Sequence, residues 1–298
     1  FLLDSDKCNA KKWFFMLVEI WMVSVSILLI TYIARSGNID KGLLIQSLMP
    51  TTYATNWYMT CYLLFYPLHP VLNDIIKGMS KVQLFRASAA LAVIYIGLNF
   101  VIDNAFFSSP IILWVTIYFV IAYIKIYLPG FSSDRMANIA LLCYGIVGHI
   151  GLILVTNFLG LRMNAFSDRL LDWAVNCNPF IILSIIALFN LVRSVKFENR
   201  FITAVSYLSL IIYIMHENIM LRTYYRPYII HYIYENYGYS HIIMWILILS
   251  LVIFVAFAAI GFIYDLTLRN MVRKLSIGVY NICHDMWQIM ENNALKMH

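Results

Sequence analysis

Ser209, Tyr213 and His216 stand four and three residues apart in the run Ser209-Leu-Ile-Ile-Tyr213-Ile-Met-His216-Glu217-Asn218. On an α-helix those spacings set a hydroxyl, a phenol and an imidazole on one face. The residues between them are apolar, so in a lipid-buried helix the polar stripe must turn towards other protein. Imidazole is the group there that moves protons near neutral pH. The chemistry this suggests is proton transfer to or from a hydroxyl, with His216 as proton carrier and Tyr213 and Glu217 orienting it. A helix-packing network built from the same residues is the alternative.

Three further ionisable residues fall inside apolar stretches and count as functional candidates for that reason alone: Glu19, His69 and His149. Each has a plainer reading. Glu19 can pair with a neighbouring helix. His69 lies between Pro67 and Pro70 and can satisfy a carbonyl that the prolines free. His149 sits in Tyr-Gly-Ile-Val-Gly-His-Ile-Gly, where glycines allow close helix approach and a simple interhelical hydrogen bond. The cysteines, Cys8, Cys61, Cys143, Cys177 and Cys283, share no metal-ligand spacing and read as structural thiols. No metal site is expected. The chain contains no P-loop, no G-x-S-x-G and no H-E-x-x-H.

The elements that must hold these side chains are membrane helices. Of the 298 residues 62% are hydrophobic and 12% charged, against about 25% charged in an ordinary soluble domain. One globular core cannot hide that much apolar surface, so lipid is the solvent for most side chains. Eight apolar segments, at residues 13–33, 55–75, 85–102, 110–128, 137–159, 177–195, 201–220 and 242–264, approach the ~20 residues a helix needs to cross a bilayer. The second carries Pro67 and Pro70 and should kink. The expected fold is therefore all-α, a polytopic transmembrane bundle of eight spans. Most of the 21 lysines and arginines then fall on the side shared by the two termini, which places both termini in the cytoplasm. The net charge of +6 reads as this cytoplasmic bias, and nucleic acid is not expected as a partner.

Residues 1–264 form the membrane domain on this reading and residues 265–298 a tail. In the tail Leu268, Val272, Leu275, Val279, Ile282, Met286 and Ile289 recur at steps of four and three, with Arg269, Arg273 and Lys274 beside them. That is an amphipathic helix suited to the cytoplasmic leaflet, with self-association through the same face as the alternative. Tyr224, Tyr225, Tyr228, Tyr232, Tyr234, Tyr237 and Tyr239 crowd an external loop together with Arg222, Arg226 and Glu235. Tyrosines gather at membrane interfaces. They also suit sugar rings, which offer apolar faces rimmed by hydroxyls.

Two stretches resemble the acyltransferase 3 family. Asn56-Trp57-Tyr58, Tyr62-Leu63-Leu64 and Pro70-Val-Leu72-Asn73 are similar to its W-[FY]-x…Y-L…P-x-L-N stretch, and Ser209…Tyr213…His216-Glu217-Asn218 to its S-x-x-x-Y-x-x-H segment in a late span. The resemblance implies a bacterial inner-membrane enzyme that takes an acyl group, usually acetyl, from cytoplasmic acyl-CoA and gives it to a hydroxyl of a surface or exported polysaccharide. Acyl-CoA is then a co-substrate rather than a resident cofactor. His216, Tyr213 and Glu217 would serve catalysis, and Trp57, Asn73, Ser209, Asn218 and Arg222 the acceptor. Lys11 and Lys12 would attract the CoA phosphates, standing about where the family has paired arginines. The opening Phe1-Leu2-Leu3-Asp4 resembles the start of that family's third helix. The family's first-span histidine would then lie outside this sequence, and the chain as given is expected to be impaired in catalysis. A polysaccharide or lipid flippase and a glycan polymerase are the rival readings, separated from the transferase by dependence on CoA.

Overall fold

The computed structural model describes residues 2–5, 7–98, 109–162, 178–193, 199–238 and 241–295. Residues 99–102 of the expected third span, Cys177, residues 194–195 of the sixth, and Arg169, Lys196, Tyr239 and Lys296 lie outside them. Every regular element among the described residues is helical. In chain order the main ones are α1 (Ala10–Ala34), α2 (Lys41–Leu48), α3 (Trp57–Gly78), α4 (Lys81–Ala92), α5 (Pro110–Tyr127), α6 (Arg135–Gly160), α7 (Pro179–Arg193), α8 (Arg200–His216), α9 (Arg226–Tyr237), α10 (Ile242–Thr267) and α11 (Arg269–Leu295).

Local chemistry sets many of these boundaries. Asn9 caps α1 by accepting from the Lys12 N–H, and Asp134 caps α6 by accepting from the Ala137 N–H. Ser80 and Gln83 close a reciprocal capping box at the start of α4. Pro110 opens α5, where a missing N–H costs nothing. After α1 the chain turns through Gly37 at φ 79°, a left-handed conformation that disfavours a side chain.

Among the described residues five helices are long and apolar enough to cross a membrane: Ala10–Ala34, Lys81–Leu98, Pro110–Tyr127, Arg135–Gly160 and Met244–Thr267. They correspond to five of the eight expected segments. Leu98 is reached because α4 continues through a π-helical turn, Val93–Leu98. The other three segments differ from a plain span for physical reasons. The second forms a full helix, α3, but carries two prolines, an aspartate and a lysine that reduce its apolarity. The sixth is helical over only 15 described residues. The seventh stops at His216, and the chain resumes as a helix bent by 62° from it over Leu221–Tyr237. The tyrosine-rich stretch expected as a loop is thus mostly helical: a π turn over Leu221–Tyr225 and then α9, with Pro227 in its first turn. Ile233 is the buried residue of α9, and the helix ends at Gly238, whose φ of 64° stops it.

The chain divides into two compact units. One comprises Phe1–Lys7 and Pro67–Phe197 and contains the C-terminal half of α3 with α4 to α7. Its core gathers Ile76, Leu84, Phe119 and Ala122. In it α6 and α7 pack at close range, because a Cβ at Gly145 would strike Ser184 Oγ and the Phe180 carbonyl, and one at Gly148 would strike the Phe180 ring.

The other unit comprises Cys8–Tyr66 and Glu198–His298. Here α1 packs on α2, α8 and α11, and α8 packs on α10. The Trp13 indole N–H donates to the Leu63 carbonyl at 2.7 Å. That carbonyl would otherwise accept from the backbone N–H of residue 67, which is proline. The tail helix does not present its apolar stripe to a single surroundings. Val272 and Ser276 are buried, Tyr280 meets Phe14 edge-on at 5.7 Å, and Ile282, Met286 and Ile289 are exposed. Its first half is therefore a packing helix of this unit.

Candidate functional site

The Ser209–Tyr213–His216 face of α8 lines a groove of about 740 Å³ between α8 and α10. Its walls are mainly apolar, from Ile212 on α8 to Ile253 and Phe257 on α10, with Ser206, Ser209 and Ser250 set among them, and the ionisable groups of the lining, His216 and Arg226, meet at one end. The Tyr213 hydroxyl accepts from the Tyr58 N–H at 3.3 Å, and the two rings meet with centroids 5.4 Å apart. Tyr58 lies at the uncapped start of α3, so this bond satisfies one of the backbone donors that a helix N-terminus leaves open.

His216 ends α8, and Asn218 is the reason the helix stops there. Asn218 is buried, and its side-chain oxygen accepts from the Met220 N–H. That local bond competes with helix continuation and starts the next turn in a new direction. The break places three charged side chains around one histidine. His216 Nδ1 lies 3.0 Å from Glu217 Oε1. Arg222 Nη1 stands 3.6 Å from Glu217 Oε2, and Arg226 Nη2 stands 3.6 Å from Glu217 Oε1. Arg226 also donates to the His216 carbonyl at 2.7 Å, which satisfies a helix C-terminal acceptor with a cation. The carboxylate engages Nδ1 and thereby fixes the ring, leaving Nε2 as the atom able to exchange a proton with a ligand. Two guanidiniums face one carboxylate, so the cluster keeps a net positive charge.

The remaining residues singled out from the sequence have other surroundings. Trp57 is exposed and touches Tyr58 edge-on, outside the groove lining. Lys11 and Lys12 are exposed on the first turn of α1, with their ammonium groups 5.6 Å from the Tyr280 ring and 6.0 Å from the Tyr66 ring. Asn73, in the other unit, is fully engaged by protein. Its Nδ2 donates to the carbonyls of Leu2 and Ser5, each at 2.9 Å, and its Oδ1 accepts from Tyr118 at 2.6 Å. His149 pairs with the Asn178 side chain at 2.8 Å, and Asn178 also holds the Phe180 N–H at the start of α7. Cys8, just before α1, has its thiol pushed up by burial, which keeps it protonated and a poor nucleophile.

Two features have no plain mark in the sequence. Arg226 is visible there as a charge among tyrosines but not as a groove residue, because nothing local announces the bend that brings it back to His216. The second is a buried ionic cluster around Glu19. Tyr264 donates to Glu19 Oε1 at 3.2 Å, Arg269 Nε lies 3.9 Å from that oxygen, and Arg269 Nη1 donates to Asp265 at 2.7 Å. The Arg269 guanidinium also lies 3.7 Å from the centroid of the Tyr207 ring. The cluster joins α1, α8, α10 and α11.

These elements define an all-α protein of multi-pass, membrane-spanning architecture, with five helices among the described residues able to span, or six if the bent pair after Arg200 is one span. Compared with family models, with curated proteins and with solved structures, the chain finds no match in any of the three. Among the described residues no group of three His, Cys, Asp or Glu is placed to hold a metal ion.

Proposed function

We propose that the protein is a membrane O-acyltransferase that moves an acyl group, acetyl by preference, from acyl-CoA to a hydroxyl of a cell-surface or exported polysaccharide. The observation that carries this reading is the His216–Glu217 pair, 3.0 Å apart, at the polar end of a groove lined by Tyr213 and Ser209. A hydroxyl attacks a thioester poorly until a base takes its proton. His216 serves as a second proton carrier or orienter in that step: the hydroxyl loses its proton as its oxygen bonds the acyl carbon, the C–S bond breaks, and the proton passes to the departing CoA thiolate. Glu217 holds the ring, and the neighbouring Arg222 stabilises the negative charge that develops on the acyl oxygen. The likeness of the Asn56–Asn73 and Ser209–Asn218 stretches to the acyltransferase 3 family supports the same reading.

On this proposal the protein sits in the bacterial cytoplasmic membrane with eight spans and both termini inside. Lys11 and Lys12 then face the cytoplasm, where CoA phosphates would meet them, and the exposed half of α11 rests on the inner leaflet. A transporter, such as a flippase, is the second reading. It is favoured by the 62° break after His216 and by the fully buried Glu19, because broken helices and intramembrane carboxylates mark substrate and ion paths.

The test is transfer of label from radioactive acetyl-CoA to glycan by the protein expressed from its whole reading frame, beside His216→Ala. Label in the glycan that the variant loses is the expected result. Label kept by the variant reduces His216 to packing, and no transfer from any acyl-CoA moves the assignment to transport.

A further inference from the structure

The walls of the groove and its charged end call for different ligand chemistries. From Ile202 to His216 the groove follows α8 for about 20 Å. The opposing wall is the Ile246–Phe257 stretch of α10, apolar except for Ser250, whose hydroxyl is spent on the Ile246 carbonyl of its own helix. Such a surface suits a hydrocarbon chain and gives a free sugar little to bond. The polar end is cationic, since Arg222 and Arg226 share a single carboxylate. Both guanidiniums remain about two-fifths exposed, at 41% and 39%, while Glu217 is 19% exposed. The cluster is therefore able to take a further anion without losing its carboxylate. Guanidinium favours phosphate in particular, because its planar fork matches two phosphate oxygens.

We infer that the groove binds a lipid-linked acceptor, a single-chain lipid phosphate carrying the sugar, with its hydrocarbon between α8 and α10 and its phosphate on Arg226. This rests on the acyltransferase reading above and names the form in which the acceptor arrives. A phosphate held by Arg226 sets the attached sugar beside His216, because Arg226 is itself bonded to the His216 carbonyl. The bilayer delivers such an acceptor laterally, and its chain anchors the sugar at the site with no need for a deep polar pocket.

The probe is a hexadecyl phosphate carrying a terminal diazirine, compared with the corresponding alcohol, on the full chain in phosphatidylcholine nanodiscs. After irradiation, mass spectrometry maps the adducts. Adducts should fall on α8 and α10, about tenfold more with the phosphate than with the alcohol, as one charge-assisted contact predicts. The excess should vanish in Arg226→Ala and persist in Arg226→Lys, which keeps the charge. Ile253→Trp, which fills the groove, should reduce labelling by both probes. Equal labelling by phosphate and alcohol, unchanged in Arg226→Ala, would mean annular lipid only and would overturn the inference. The two proposals fail separately. Acyl transfer to a delipidated glycan as fast as to its lipid-linked form removes the lipid-linked acceptor and leaves the transferase. Phosphate-dependent labelling without acyl transfer removes the transferase and leaves the lipid site.

Discussion

Arg269 stacks its guanidinium 3.7 Å from the centroid of the Tyr207 ring while its Nη1 donates to Asp265 at 2.7 Å. The same side chain is the cation nearest Glu19, a carboxylate with no exposed surface whose Oε2 has no hydrogen-bond partner among the described residues. Arg269 is the first residue of α11, so it joins the tail to the bundle by charge as Val272 and Ser276 do by packing.

Removing that cation should be costly. Arg269→Met leaves Glu19 buried and unpaired, which predicts a loss of about 3–5 kcal/mol of stability. Arg269→Lys should recover only part, since an ammonium lacks both the fork and the planar stacking face. Glu19→Gln combined with Arg269→Met should be closer to the parent than Arg269→Met alone, because no buried charge is then stranded. Thermal unfolding of the parent, these three variants and Glu19→Gln alone, all in one detergent, checks this. Additive losses would mean that Glu19 and Arg269 do not interact.

How far such features can be read from sequence depends on the range of the contacts involved. The Ser209, Tyr213, His216 face follows from helical spacing alone, and the structure sets all three along one groove, but Ser209 and His216 are exposed there rather than turned into the protein, because α8 buries Leu208, Ile211, Ile214 and Met215 instead. Close approach at Gly145 and Gly148 was legible for the same reason, since small residues one turn apart mark a contact face. The Glu19 cluster was not, because its partners lie some 245 residues away in the chain and nothing local distinguishes Arg269 from the other basic residues of the tail. The break after His216 was not legible either. Its cause, the Asn218 side chain bonding the Met220 N–H, is a choice between two conformations that an asparagine supports about equally well. Asn73 reads as a ligand-binding residue by resemblance, yet its amide is occupied by the Leu2 and Ser5 carbonyls.

The same cluster logic gives a kinetic expectation at His216. Glu217→Gln preserves shape but removes the charge shared by His216, Arg222 and Arg226. If His216 carries the proton, acyl transfer should fall on the order of 10²-fold, the lower end of what a misoriented base costs. His216→Ala should fall at least as far. The double variant should be no worse than His216→Ala alone, because Glu217 acts through the imidazole. Initial rates with saturating acetyl-CoA measure this. A further multiplicative loss in the double variant would give Glu217 a separate role.

The Trp13 indole offers a test of how the proline-bearing helix α3 is held. Trp13→Phe keeps an aromatic ring but withdraws the N–H that donates to the Leu63 carbonyl, at a predicted cost of about 1–3 kcal/mol. Pro67→Ala restores the backbone N–H that would otherwise reach that carbonyl. In the Pro67→Ala background, Trp13→Phe should therefore cost less than in the parent. The difference appears as a coupling in melting temperature. Equal costs in both backgrounds would show that the indole stabilises by packing alone.

Gly148 tests the close contact of α6 with α7. Gly148→Ala places a methyl group against the Phe180 ring, where there is no room for it. Overpacking of this kind costs about 1–3 kcal/mol, and its sign depends on whether the ring can move. Phe180 also meets the Tyr144 ring, with centroids 5.6 Å apart, and its own N–H is bonded to Asn178. Little movement is therefore open to it. Phe180→Leu should be destabilising alone because it removes aromatic contact, yet it should reduce the penalty of Gly148→Ala when the two are combined. A melting series of the parent, both single variants and the double variant measures the coupling. Gly151→Ala serves as the control, since a Cβ there meets nothing within 4 Å, and it should be neutral or stabilising through the better helix propensity of alanine. A Gly151→Ala loss as large as that of Gly148→Ala would trace the effect to backbone flexibility in α6 rather than to the Phe180 contact.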